Sequence, residues 1–105
     1  MATAAIAIER EQLASFCQRW HIAELALFGS VLRPDFGPES DIDILVTFTP
    51  EARWSLWDHT TIEQELSHLF GRRVDLVSRR AVEQSANWIR RQAILSTAEP
   101  YYVAG

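Results

Sequence analysis

Residues 29–46 read Gly-Ser-Val-Leu-Arg-Pro-Asp-Phe-Gly-Pro-Glu-Ser-Asp-Ile-Asp-Ile-Leu-Val. The stretch opens with a small-residue turn after the apolar run Leu25-Ala26-Leu27-Phe28. It closes with two carboxylates that lead into a second apolar run. Asp41 and Asp43 are two residues apart. A strand over Asp41–Phe48, stopped by Pro50, puts both carboxylates on one face. Ile42, Ile44 and Val46 then point the other way, into a core. Two fixed carboxylates side by side repel each other unless a cation neutralises them. The pattern predicts a divalent-metal site that works on a phosphate.

The flanking chain reads as alternating helices and strands. A helix is expected over residues 5–20, where Leu13, Phe16, Cys17 and Trp20 repeat at helical spacing. Glu24–Phe28 is expected as the first strand. A short helical turn is expected at Val31–Arg33, and a loop over Asp35–Ser40, which contains Gly37 and Pro38. A helix over about Trp54–Phe70 is expected to gather Trp57, Thr61, Ile62, Leu66, Leu69 and Phe70 near one side, with Gly71 closing it. Val74–Val77 is expected as a third strand and Ala81–Ser96 as a further helix. Tyr101–Val103 is expected as an edge strand after Pro100. This α-β-α-β-α-β-α-β order implies an α/β (α+β) fold, a small mixed sheet with helices packed on it, in one domain over residues 1–105.

Asp75 is a third carboxylate in a short, otherwise apolar strand. Paired beside Asp41–Val46, that strand brings Asp75 to the face of Asp41 and Asp43. Three converging carboxylates offer the oxygen ligands that magnesium or manganese prefers. Two such ions about 4 Å apart can clamp a phosphoryl centre. Gly29-Ser30 supplies donors for the phosphates: the glycine allows close backbone approach, following N–H groups form an anion nest, and the Ser30 hydroxyl donates. Arg33, about one turn on, reaches a phosphate or holds the 35–40 loop. Taken singly, each feature has a plainer reading. Gly29-Ser30 is a turn. Asp41 and Asp43 cap a loop with Ser40. Asp75 pairs with Arg72 or Arg73. Their combination favours the site.

Composition sets the outer bounds. The chain has 105 residues, 48% hydrophobic, with net charge −4, which disfavours a surface built wholly to grip nucleic acid. All ten basic residues are arginine, including the pairs Arg72-Arg73, Arg79-Arg80 and Arg90-Arg91. His21, His59 and His68 do not follow a metal-ligand spacing. Cys17, the single cysteine, falls on the apolar side of the first helix and reads as core. A lone cysteine, no secretory h-region and no membrane-spanning run give the cytoplasm as the expected location. Four tryptophans exceed the needs of so short a core, and Trp54, Trp57 and Trp88 are candidate anchors for a partner.

Gly29-Ser30, Arg33, Ser40-Asp41-Ile42-Asp43-Ile44-Leu45-Val46 and Gly71-Arg72-Arg73-Val74-Asp75-Leu76-Val77 together resemble the minimal nucleotidyltransferase domain of the DNA polymerase beta superfamily. The resemblance extends over nearly the whole chain and implies a polymerase-beta-like fold. It implies that Asp41, Asp43 and Asp75 bind two Mg2+ ions (or Mn2+) and are catalytic. It implies that Gly29, Ser30 and Arg33 hold the phosphates of ATP. Small members of this type resemble the antitoxin half of a two-gene system whose toxin is a small all-helical HEPN ribonuclease. The implied activity is transfer of AMP from ATP to a toxin tyrosine hydroxyl, within a hetero-oligomer and without membrane or direct nucleic-acid substrate. Three other readings stay open: a neutralising binding module that does no chemistry, an aminoglycoside-type small-molecule nucleotidyltransferase, and a nucleotide-adding enzyme for RNA. The charge and the lack of an RNA-binding domain disfavour the last.

Overall fold

The computed structural model describes residues 9–29, 37 and 41–104. Its elements in order are α1 (Arg10–Arg19), β1 (Ile22–Phe28), β2 (Ile42–Phe48), α2 (Leu56–Phe70), β3 (Val74–Ser78), α3 (Arg79–Glu83), α4 (Trp88–Thr97) and β4 (Glu99–Val103). The four strands form one mixed sheet in the order β3-β2-β1-β4. β1 runs antiparallel to both neighbours. β2 and β3 are parallel, joined by α2 as the crossover that parallel strands require.

Alternation along the strands divides the core into two faces. Ile42, Ile44 and Val46 of β2, with Leu25 and Leu27 of β1, pack against Leu13, Phe16 and Cys17 of α1 and Ile62 and Leu66 of α2. On the opposite face Ala26, Phe28 and Leu45 meet Val82 of α3 and Ile94 of α4. The molecule is therefore a three-layer arrangement with its sheet in the middle. Cys17 lies fully inside, and burial pushes its thiol up to about 12.

β3 is an edge strand, and α2 covers its open side with polar groups. The Ser67 hydroxyl accepts from Val74 N (3.0 Å). The Glu63 carboxylate accepts from Leu76 N (2.7 Å). His59 Nε2 lies 2.9 Å from Leu76 O. These side chains are four residues apart, so one helix stripe meets the outward-facing groups of the strand. The edge is satisfied and closed to a further strand.

Several expectations shift. The first helix begins at Arg10, because Glu9 has the extended ψ of 128°; residues 5–8 lie outside the described residues, as does the expected turn at Val31–Arg33. β1 is longer than expected and starts at Ile22, where His21 leaves α1 with φ 54°. α2 starts at Leu56, since Ser55 and Asp58 form a reciprocal capping box. Its inward stripe carries Ile62 and Leu66, while Trp57 and Thr61 face solvent. The single helix expected over Ala81–Ser96 is two. Ser78 caps α3 through Ala81 N, and Asn87 opens α4 by accepting from Arg90 N (3.1 Å). Local capping thus outcompetes continuation. β4 is the expected edge strand, and Gly71 closes α2 with φ 70°.

Two outcomes follow. Glu63→Ala removes the acceptor for Leu76 N and is expected to lower unfolding free energy by about 1–3 kcal/mol, whereas Trp57→Ala changes it by less than about 0.5 kcal/mol; urea denaturation reads both. Cys17 is expected to resist alkylation in the native protein at pH 8 and to react once denaturant is added. Its raised folded value also makes stability fall with rising pH, from about 8.5, where the unfolded thiol ionises, up to about 12.

Candidate active site

β2 and β3 pair in the register Ile42↔Val74, Asp43↔Asp75, Ile44↔Leu76. Residues directly paired in a parallel ladder point to the same face. Ile42, Ile44, Val74 and Leu76 all enter the core shared with α1 and α2. Asp43 and Asp75 therefore project together from the opposite face, at the N-terminal ends of both strands. Asp43 is half-buried and Asp75 is exposed. The parallel register brings Asp75 to Asp43, as expected for that pair, but Asp41, expected on the same face, precedes β2, which starts at Ile42.

Gly29 closes the site from the β1 side. Phe28 is the antiparallel partner of Asp43, so the chain leaves β1 beside this carboxylate. Gly29 has φ +74°, which side-chain-bearing residues rarely adopt. A Cβ on Gly29 would overlap Asp43 Oδ2 and lie 3.3 Å from its Cγ. The glycine is thus required twice, for the backbone turn and for the space that the carboxylate occupies. Its role as a close-approach residue is legible in the sequence; that Asp43 makes the approach is not.

Asp41 precedes β2 and is exposed. Its Oδ2 lies 3.9 Å from Arg73 Nε, a solvent-screened pair of little energetic weight. Backbone pairing places them together, with Ile42 N donating to Arg73 O at 2.9 Å. Arg72, next to it, donates to Gly37 O at 2.6 Å and ties the start of β3 to the segment between β1 and β2. Arg72 and Arg73 thus attend Gly37 and Asp41. Among the described residues, no three His, Cys, Asp or Glu side chains are gathered closely enough to hold a metal ion. Ser30 and Arg33 lie outside the described residues.

The histidines are dispersed. His59 sits on the β3 edge, and His21 stacks against Trp54 with ring centroids 5.8 Å apart. Of the three candidate anchor tryptophans, Trp57 and Trp88 are exposed. Trp54 is half-buried, edge-on to Trp20 at 5.2 Å, and its Nε1 donates to Trp20 O at 2.9 Å. Among the described residues, no helix is long and apolar enough to cross a membrane.

Comparison with known proteins agrees with this fold. A family model described as a nucleotidyltransferase domain matches residues 9–99. The protein adenylyltransferase MntA of Thermococcus cleftensis is 38% identical over 66 residues, which are 63% of this chain and 65% of that protein's length. A solved structure provisionally assigned as a minimal nucleotidyltransferase is 36% identical, covers 88% of each chain and superposes with a TM-score of 0.65. The MNT antitoxin structure with a tri-AMPylated HEPN toxin of Shewanella oneidensis has the same fold at 21% identity, with a TM-score of 0.59 over 90% of this chain and 69% of that one. The mixed sheet, the polymerase-beta-like arrangement and the match over most of its length establish that the chain belongs to the nucleotidyltransferase-domain family.

Proposed function

We propose that this protein is a metal-dependent nucleotidyltransferase that moves AMP from ATP to a tyrosine hydroxyl of a HEPN-type toxin and so acts as its antitoxin. The observation that carries the reading is the in-register pair Asp43 and Asp75, with Gly29 held against Asp43 Oδ2. A fold does not by itself fix an activity. Two carboxylates kept together beside a glycine turn suit the handling of cations and phosphates. The relative named as a protein adenylyltransferase and the MNT antitoxin in complex with a tri-AMPylated HEPN toxin support a protein acceptor.

The donor set fits magnesium or manganese. It consists of carboxylate oxygens only, and the Gly29 notch leaves the Asp43 carboxylate its position beside the turn. Asp43 and Asp75 would hold the ions, and Asp41, beside Arg73, would complete the donor set. When bound, divalent ions supply charge neutralisation at the α-phosphate and at the departing pyrophosphate. The chain's own groups do the rest. Gly29, Ser30 and Arg33 bind the β- and γ-phosphates. Asp75, exposed at the edge of the pair, accepts the proton of the incoming hydroxyl. The acceptor oxygen bonds to the α-phosphorus as the bond to the bridging oxygen breaks, and pyrophosphate leaves.

Intact-mass spectrometry of the neighbouring gene's product, incubated with this protein, ATP and magnesium, tests the reading. A gain of one or more AMP units is expected, abolished by EDTA and by Asp43→Ala. Toxin neutralisation that survives in the Asp41→Ala/Asp43→Ala double variant would instead show a binding module. Gly29→Ala is expected to remain folded at a cost of about 1–2 kcal/mol for its φ, yet to slow transfer about 100-fold, because the Asp43 carboxylate must move. Gly71→Ala has a similar φ but open space around it, and it retains transfer.

A further inference from the structure

The paired carboxylates occupy the N-terminal ends of β2 and β3. The C-terminal ends of the same strands open into a groove of about 910 Å³ between the start of α2 and α3, with Arg90 of α4 at its side. The groove's lining starts at Val46 on β2 and Leu76 on β3 and runs away from the carboxylates to Phe48 and Ser78, about 16 Å along β2 from Asp43 at about 3.3 Å per residue. Four arginines line it, Arg53, Arg79, Arg80 and Arg90, and Glu83 is the single acid among the lining residues. The protein as a whole has net charge −4, so this concentration of positive charge is local. Arg53 donates to Pro50 O and Ala52 O. Among the described residues, Arg79, Arg80 and Arg90 make no ion pair.

Large apolar side chains stand in the first turns of α2 and α4. Leu56, which lines the groove, is 80% exposed, and Trp57 beside it is 82% exposed. At the start of α4, next to Arg90, Trp88 and Ile89 are 62% and 66% exposed. Leu56 lines the groove, and Trp57, Trp88 and Ile89 are exposed beside its lining residues Leu56 and Arg90 in the chain, a composition of tryptophan and arginine like that of a protein-binding hot spot. We propose that this groove docks an acidic, apolar-anchored segment of a protein partner, away from the carboxylate pair. Charge complementarity fixes the sign of the segment, and the net charge of −4 over the protein as a whole favours a short acidic protein segment over a polyphosphate backbone. The inference rests on the proposed function for the identity of the partner, the toxin that carries the acceptor hydroxyl. Docking at one end of β2 and β3 leaves the other end free to receive that hydroxyl.

The test uses the full chain and a fluorescent twenty-residue amphipathic peptide built of Glu and Leu, followed by anisotropy. Binding is expected, weakening with added salt. Arg80→Glu/Arg90→Glu and Leu56→Ala/Trp57→Ala should each weaken it at least about tenfold. Both pairs are exposed, and acidic residues in the first turns of α3 and α4 agree with the helix dipoles, so the variants fold. Absent binding, equal binding of the Lys-for-Glu peptide, preference for single-stranded RNA of the same length, or unchanged affinity in both variants would overturn the proposal. With the toxin as ligand, Arg80→Glu/Arg90→Glu should raise the KM for toxin at least about tenfold and leave kcat and ATP affinity unchanged. Transfer lost at Asp43 but untouched at Arg80 and Arg90 would overturn the docking site while sparing the proposed activity.

Discussion

The parallel pairing of β2 with β3 is the constraint on which the rest depends. It alone sets Asp43 beside Asp75, and a slip of one residue would send one of them into the core. Parallel edge pairing is the less stable kind per residue, and β3 has only one strand neighbour. Its second side is closed by His59, Glu63 and Ser67 of α2. The same helix inserts Ile62 and Leu66 under the sheet. α2 therefore fixes β3 twice, by apolar burial beneath and by hydrogen bonds at the edge, and both hold the register that assembles the carboxylates.

Around that pairing the sheet separates its tasks. One face is apolar along β2 and through Val74 and Leu76 of β3, and it is covered by α1 and α2. The other is apolar only in its middle, where α3 and α4 cover Leu45 and Ala26. Asp43 and Asp75 emerge beyond that cover. Gly29 meets Asp43 there because β1 and β2 are antiparallel neighbours and the chain must turn where β1 ends. The site thus combines a left-handed glycine, a half-buried carboxylate and an exposed one. At the opposite end of the same strands lies the arginine-lined groove.

Much of this was legible in the sequence because short-range pattern carries it. Alternation in Asp41–Val46 and Val74–Val77 revealed the strands and the common face of Asp43 and Asp75, though Asp41 falls just outside β2. Gly71 marked the end of α2, and the buried position of Cys17 followed from its helical spacing. What was not legible depends on long-range or competing local contacts. The Ala81–Ser96 pattern is apolar enough to suggest one helix, yet Asn87 restarts it by capping Arg90 N. Helical spacing put Trp57 near the side of α2 that carries Ile62 and Leu66, but the inward stripe is set by those two and by the polar groups that β3 requires, and Trp57 is exposed. No periodicity announces that Glu63 will accept from Leu76 N, and no spacing shows that Arg73 will meet Asp41.

The measurement closest to the central claim is calorimetric titration of manganese into the protein in the presence of an ATP analogue that cannot release pyrophosphate. It reads the carboxylate pair without a partner and without turnover. If Asp43 and Asp75 form the cation site, the wild-type protein binds manganese with the nucleotide, and Asp43→Asn and Asp75→Asn each lose that binding while keeping the wild-type urea midpoint. Undiminished manganese binding in both folded variants would contradict the assignment and leave the register of β2 and β3 a purely structural feature.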